Sequence, residues 1–156
     1  MCPKETMKYT GGERRVSMVA MKYGAKMIAE STLEAVPNSK PERDYEIHFT
    51  IPEFTCLAPD SGFPDFATIR IRYVPDQKLV ELKSMKLYIN KFRDEEVFHE
   101  AAVNRILDDL VGLLDPRFME VIGDFNVRGN IKTVVTARHA QKGFSPNGTG
   151  LDLSRE

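Results

Sequence analysis

The run ATIRIRYV, Ala67 to Val74, alternates without a break, with Ile69, Ile71 and Tyr73 on one side and Thr68, Arg70 and Arg72 on the other. Successive side chains leave opposite faces of a pleated strand, so this pattern predicts a strand with one face in a core and one in water. YEIHFTI repeats it, with Tyr45, Ile47, Phe49 and Ile51 alternating with Glu46, His48 and Thr50. Between the two runs lies FTCLAPDSGFPDFA, which its prolines and glycine predict to be a loop. Two adjacent half-buried strands commit the chain to a sheet that needs a cover on one face.

The cover follows in sequence. Spacing turns helical from Ser84 to Phe92, and from about Val97 to Leu114 the residues Phe98, Ala102, Ile106, Leu110 and Leu113 recur at three- and four-residue steps until Asp115-Pro116 ends the pattern. FMEVIGDFNV and IKTVVTAR, split by Arg128-Gly129-Asn130, predict a closing hairpin. The expected fold is α+β: a four-stranded antiparallel sheet in the order ββααββ with helices on one face. Open sheet edges and an apolar helix side favour closure by oligomerisation into a ring. The predicted domain spans 41–140. Residues 1–40, polar and irregular with alternative starts at Met18 or Met21, are expected to form a mobile arm or an interface segment, and 141–156 a flexible tail.

A chain of 156 residues, 42% hydrophobic and 29% charged, suits one domain with a modest core. A net charge of -1 offers no basic field for a phosphate backbone, so no direct nucleic-acid partner is expected. No apolar run approaches bilayer length, the opening segment lacks a signal peptide's apolar core, and Cys2 and Cys56 form no staple pattern. These features predict a cytoplasmic protein without a membrane partner. His48, His99 and His139 show no ligand spacing and Cys56 is the one thiol within the core region, so no metal-ligating residues are named and a zinc-dependent pterin enzyme is disfavoured, a bound metal being otherwise left open.

Three stretches concentrate polar groups: the loop around Cys56 and Asp65, ELKSMKLY from Glu81 to Tyr88, and FHE from Phe98 to Glu100. Singly each has a plain reading. A loop cysteine is ordinarily incidental, and Asp65 after Pro64 suits a turn. Lys83 and Lys86 at three-residue spacing suit a solvated helix face. Glu100 beside His99 suits the positive end of a helix.

Together, PEFTCLAPDSGFPDFATI, VELKSMKLY, FHE and GDFNVRGNI closely resemble the single-module 7-cyano-7-deazaguanine reductases of queuosine biosynthesis, in order and spacing from about Tyr45 to Arg138. The pattern E-x-K-S-x-K-x-Y and GFPDFA are the most specific pieces, and MKYGAK resembles that family's amino terminus, which marks Met21 as a start. The resemblance implies the tunnelling fold, in which subunits join sheets into pentameric barrels and two pentamers stack into a decamer with sites at subunit interfaces. GTP cyclohydrolase I and pyruvoyl-tetrahydropterin synthase share that fold, so fold alone does not set the reaction.

The resemblance implies reduction of a nitrile to a primary amine with two NADPH per turnover, on a free deazaguanine base destined for tRNA. A thiolate adds to the nitrile carbon to give a thioimide that accepts hydride, and a second hydride reduces the imine released. By the same resemblance Asp65 gives the proton to the nitrile nitrogen, its burial favouring the protonated acid. Glu100 holds the ring N–H and exocyclic amine of the base, and His99 orients substrate or moves a proton. Val80, Glu81 and Leu82 border the base. Lys83, Ser84 and Lys86 face the cofactor phosphates, with Arg128 from a neighbouring subunit adding a forked cation. The chain has no Gly-rich dinucleotide fingerprint, so side-chain cations at an interface must hold NADPH.

The chain departs from the family at one place. The family nucleophile is the cysteine seven residues before the PDFA aspartate, and that position is Ala58. Cys56 precedes it by two residues, about 7 Å along a strand, more than catalytic positioning tolerates. Three readings follow: a replaced nucleophile that stops chemistry and traps ligands, a variant that uses Cys56 after a loop shift, or a homologue that binds a deazapurine without reducing it. The intact motifs elsewhere favour the first. A related amidinotransferase of archaeosine synthesis, which uses the same thioimide with ammonia, is the alternative enzyme, and ELKSMK argues against it.

Overall fold

The computed structural model describes residues 21–146. Its elements are α1 (Tyr23–Glu30), β1 (Ala35–Pro37), β2 (Ile47–Leu57), β3 (Pro64–Val74), β4 (Lys78–Val80), α2 (Leu82–Lys91), a 3-10 turn (Phe92–Asp94), α3 (His99–Leu114), β5 (Phe118–Arg128) and β6 (Ile131–Ala140). The long strands form one antiparallel sheet in the order β2-β3-β5-β6, and β1 pairs with β4 in a separate two-stranded sheet. The α+β fold with its ββααββ order is therefore present.

The alternating runs pair as their patterns require: Ile47 faces Tyr73 and Ile51 faces Ile69 across β2 and β3, and Ile71 faces Val121 across β3 and β5. After Ile51 the register shifts, because Phe54 pairs with Ala67, so that Pro52 and Glu53 stand opposite Thr68 alone. This bulge tolerates a proline because β2 lies at the sheet edge, where Pro52 forfeits no ladder donor. It also exchanges the faces of the strand. Ile47, Phe49 and Ile51 lean inward before it, and Phe54, Cys56 and Ala58 are buried after it.

α3 covers the sheet with Ala102, Val103, Ile106, Leu107, Leu110 and Leu114, packed against Ile69, Ile71, Tyr73, Val121 and Phe125. Burying one such aliphatic side chain contributes about 1.5–3 kcal/mol. The helix ends at Asp115 in the left-handed region, and the hairpin turns through Gly129 and Asn130, both at positive φ, which suits a two-residue turn between twisted strands. The uncovered sheet face is polar and paired: Arg72 reaches Glu120 at 3.1 Å and Glu46 at 3.8 Å, and Arg70 reaches Asp124 at 3.5 Å. Among the described residues no helix is long and apolar enough to cross a membrane.

Three expectations need correction. Among the described residues regular structure begins at Tyr23, where the sequence predicts a mobile arm through residue 40; β1 finds β4 as a partner and the segment after it is tied down. Asn38 donates to the Asp76 carbonyl at 2.7 Å and accepts from Tyr45 Oη at 2.7 Å and Lys40 N at 3.0 Å; Arg117 binds Asp44 at 2.8 Å and Asp76 at 3.2 Å. The expectations for residues 1–20 and 147–156 lie outside the described residues. Second, the loop is only Ala58–Phe63, since the strands run through Leu57 and from Pro64. Third, Phe98 is not part of the apolar stripe of α3 but precedes the helix, and it is exposed.

Asn38 is buried, so Asn38→Ala leaves the Asp76 carbonyl and the Tyr45 hydroxyl without their partner. The expected loss is about 1–3 kcal/mol of unfolding free energy, read as a lower urea midpoint with an unchanged slope.

Candidate active site

One carboxylate gathers residues from three elements. Asp65, in the first turn-side positions of β3, is buried. His99, the first residue of α3, brings Nε2 to 3.0 Å from Asp65 Oδ2. Arg128, the last residue of β5, donates through Nη1 to both Asp65 oxygens at 2.8 and 3.0 Å, a charge-assisted contact of guanidinium and carboxylate. Strand pairing sets Cys56 directly opposite Asp65.

The entry to α3 is tied to the end of β2. Leu57 N donates to the Glu95 carbonyl at 2.9 Å and Val97 N to the Leu57 carbonyl at 3.0 Å, forming a short parallel bridge. Arg105 secures this strap from within α3, pairing with Glu95 and lying over the Phe92 ring at 4.1 Å. The strap delivers Phe98 at the helix N-cap and then His99 and Glu100 in its first turn. The His99 ring stacks on Phe125 at 3.8 Å with 10° between planes. Glu100 is exposed, and its carboxylate has no hydrogen-bond partner among the described residues.

Ala58 begins the loop, its N–H donating to the Phe63 carbonyl at 2.8 Å and its own carbonyl accepting from Gly62 at 2.9 Å. In this register Ala58 is a diagonal neighbour of Asp65, a separation of roughly 7–8 Å, which leaves room for a small linear group between them. Cys56, directly across at roughly 4.5–5.5 Å, leaves little. Cys56 is also fully buried, and that burial, with the Asp65 carboxylate adding to it, pushes its thiol up to about 11. At neutral pH only about one molecule in 10⁴ then carries a thiolate there.

The second stretch divides. Val80 closes β4 and is buried, while Leu82 opens α2 and is exposed. Glu81 caps α2, accepting from Lys83 N at 2.9 Å and Ser84 N at 2.6 Å, and these backbone donors hold its carboxyl below the usual range. Ser84, expected to face phosphates, is buried, donating to the Glu81 carbonyl at 2.8 Å and accepting from Glu34 N at 3.0 Å. Its hydroxyl is therefore engaged in starting the helix. Lys83 and Lys86 are exposed, and neither ammonium has an ion-pair partner among the described residues. Lys86 opens onto a cleft of about 660 Å³ between β2 and α2, whose walls include Phe49, Phe54, Met85 and Arg93 but none of Asp65, His99 or Glu100. The chain thus unites Asp65, His99, Arg128, Cys56 and Ala58 but leaves the lysines apart from them, Lys86 on the β2–α2 cleft and Lys83 on a second depression beside Glu34 and Met27. Arg128, expected to fork onto phosphates in a neighbouring subunit, is closed on Asp65 within its own chain. Sequence reasoning missed Phe125 and the strap; GDFNVRGNI contained the former, on the inward side of its strand, as the signal.

In a Cys2→Ser chain, Cys56 should react with a thiol reagent at pH 7 on the order of a hundredfold more slowly than an ordinary cysteine. Its rate should rise about tenfold per pH unit until the thiol titrates, and denaturant should abolish the protection. Rapid labelling of the native chain at pH 7 would restore Cys56 as a nucleophile.

Comparison with known proteins bears on the family and the fold. Residues 64–143 match the family model described as QueF-like protein. The NADPH-dependent 7-cyano-7-deazaguanine reductase of Aquifex aeolicus is 61% identical over 117 residues, covering 75% of this chain and 91% of that protein. The reductase of the same name from Anaeromyxobacter dehalogenans is 62% identical over 110 residues, covering 70% and 90%. Among solved structures, the archaeosine synthase QueF-Like in its apo form superposes with a TM-score of 0.56 at 16% identity, covering 60% of this chain and 91% of that one, which bears on the fold alone. With its ββααββ sheet, the PDFA aspartate at the head of β3 and FHE at the head of α3, the chain belongs to the QueF-like family, among the NADPH-dependent 7-cyano-7-deazaguanine reductases.

Proposed function

We propose that this chain binds 7-cyano-7-deazaguanine and NADPH at a site built for reducing the nitrile to the aminomethyl base for queuosine synthesis, and that Ala58 withholds the covalent step. The observation that carries this reading is the buried Asp65 carboxyl, held by His99 and placed diagonally across the strand ends from residue 58. A thiol at residue 58 lies on one side of the nitrile and the Asp65–His99 pair on the other: the thiol gives its proton to that pair, sulfur adds to carbon, and Asp65 passes the proton on to nitrogen, which leaves the pair as it began. A methyl group at residue 58 makes no such bond. Cys56 is a strand step away and its thiol stays protonated.

Glu100, exposed at the positive end of α3 and without a carboxylate partner among the described residues, suits the donor edge of a guanine-like base. Exposed Phe63, Phe66 and Phe98 adjoin Asp65 and His99 in sequence and offer apolar surface to a planar ring. The exposed ammonium groups of Lys83 and Lys86 fit the phosphates of NADPH, which supplies hydride when bound. Because Lys83 and Lys86 lie apart from the Asp65 cluster within one chain, the complete site takes the lysines from one copy and the cluster from another, in a ring of copies joined at the β2 and β6 edges. A pentamer or a decamer is the expected form of such a ring. A deazapurine-binding oligomer without turnover is the second reading, and Ala58 is the observation that favours it.

The test is NADPH oxidation with 7-cyano-7-deazaguanine on this chain and on Ala58→Cys. The expected outcome is binding without turnover for the former and turnover for the latter, with Asp65→Asn lowering the restored rate by roughly 10²–10⁴-fold. No turnover from Ala58→Cys would leave the binding reading; turnover by the unaltered chain would return the chemistry to Cys56.

A further inference from the structure

His99 reaches Asp65 with an imidazole ring whose second torsion is intrinsically broad, so something must hold that ring edge-on to the carboxylate. The structure offers one candidate. The Phe125 ring lies 3.8 Å from the His99 ring at 10°, close to parallel, and Phe125 is itself fully buried. Its orientation is set from two sides: the Phe54 ring meets it at 90° and 6.3 Å, and Gly123, two residues earlier on the same face of β5, leaves the space it occupies. A Cβ on Gly123 would fall 2.8 Å from Phe125 Cε2 and 2.5 Å from Val103 Cγ2. The missing side chain therefore lets Phe125 lie flat beneath His99 and lets α3, which carries His99, approach the sheet at Val103.

We propose that Phe125 is the positioning residue that aims His99 Nε2 at Asp65, and that Gly123 is the vacancy that permits its orientation. Phe125 touches no reacting atom in this arrangement; it acts through His99. The inference rests on the reductase reading for its consequence in turnover, though the stack itself can be read without any reaction.

The first measurement uses the chain as it is. It has three histidines, and the ring protons of His99 should resonate upfield of those of His48 and His139, because they lie over the face of Phe125. Phe125→Leu should abolish that displacement, Gly123→Ala should reduce it by tilting the Phe125 ring, and in either variant Asp65→Asn should move the His99 signals less than it does in the unaltered chain. The second measurement uses Ala58→Cys. Phe125→Leu in that background should lower kcat on the order of tenfold when His99 is present and less than twofold when His99→Ala is already in place, since effects transmitted through one residue do not add once it is removed. A purely structural role would cost the same factor in both backgrounds.

His99 signals unshifted in the unaltered chain would overturn the inference, as would an undiminished kcat loss in the His99→Ala background. If Ala58→Cys shows no turnover, the reductase reading fails and the ring-proton shifts alone decide for or against Phe125. If Phe125→Leu does not fold, the unaltered chain and Gly123→Ala carry the same decision.

Discussion

Pro52 and Glu53 share one partner across the sheet, and everything at the site follows from that extra residue. A strand without the bulge would keep its odd-numbered residues inward past Ile51, sending Thr55 and Leu57 into the core and Cys56 and Ala58 into solvent. With it, Phe54 enters the aromatic cluster, Cys56 faces Asp65, and residue 58 emerges at the strand end on the same side as the acid. The edge position of β2 makes the bulge tolerable, because a proline and a lost register there break no second ladder.

The carboxylate at the centre is costly to bury alone, and its surroundings are arranged around that cost. Arg128 reaches it from the hairpin end of β5 and His99 from the start of α3, so the charge is met by donors on two sides. Both donors depend on features that look unrelated to chemistry: the Gly129–Asn130 turn that ends the hairpin just beyond Arg128, and the strap at Glu95–Val97 that ties the entry of α3 to Leu57. The same contact keeps Arg128 apart from the lysines within one chain, because its guanidinium already holds the Asp65 carboxylate.

Much of the fold was legible because its elements announce themselves locally. ATIRIRYV alternates without a break, Asp115-Pro116 disfavours continuing a helix, and the hairpin has a turn that accepts positive φ at both central residues. The segment from Tyr23 to Asp44 was not legible, since its short strand has no alternation to show and is stabilised by residues far away, notably Asp76 and Arg117. At the site, Asp65, His99 and Glu100 could be named from motifs. The burial of Ser84 and the capping role of Glu81 could not, because a hydroxyl and a carboxylate read alike in sequence whether they meet backbone or ligand.

The sequence by itself determined the strand and helix periods, the family motifs and the presence of alanine at position 58, all of which are properties of short stretches or of residue identity. Only the tertiary structure decided which side of β2 the two positions face, that Cys56 is sealed against Asp65 with its thiol held protonated, that Arg128 turns to Asp65, and that Phe125 lies flat under His99. These depend on register, burial and the meeting of residues distant in the chain, and such long-range contacts leave no local period to read.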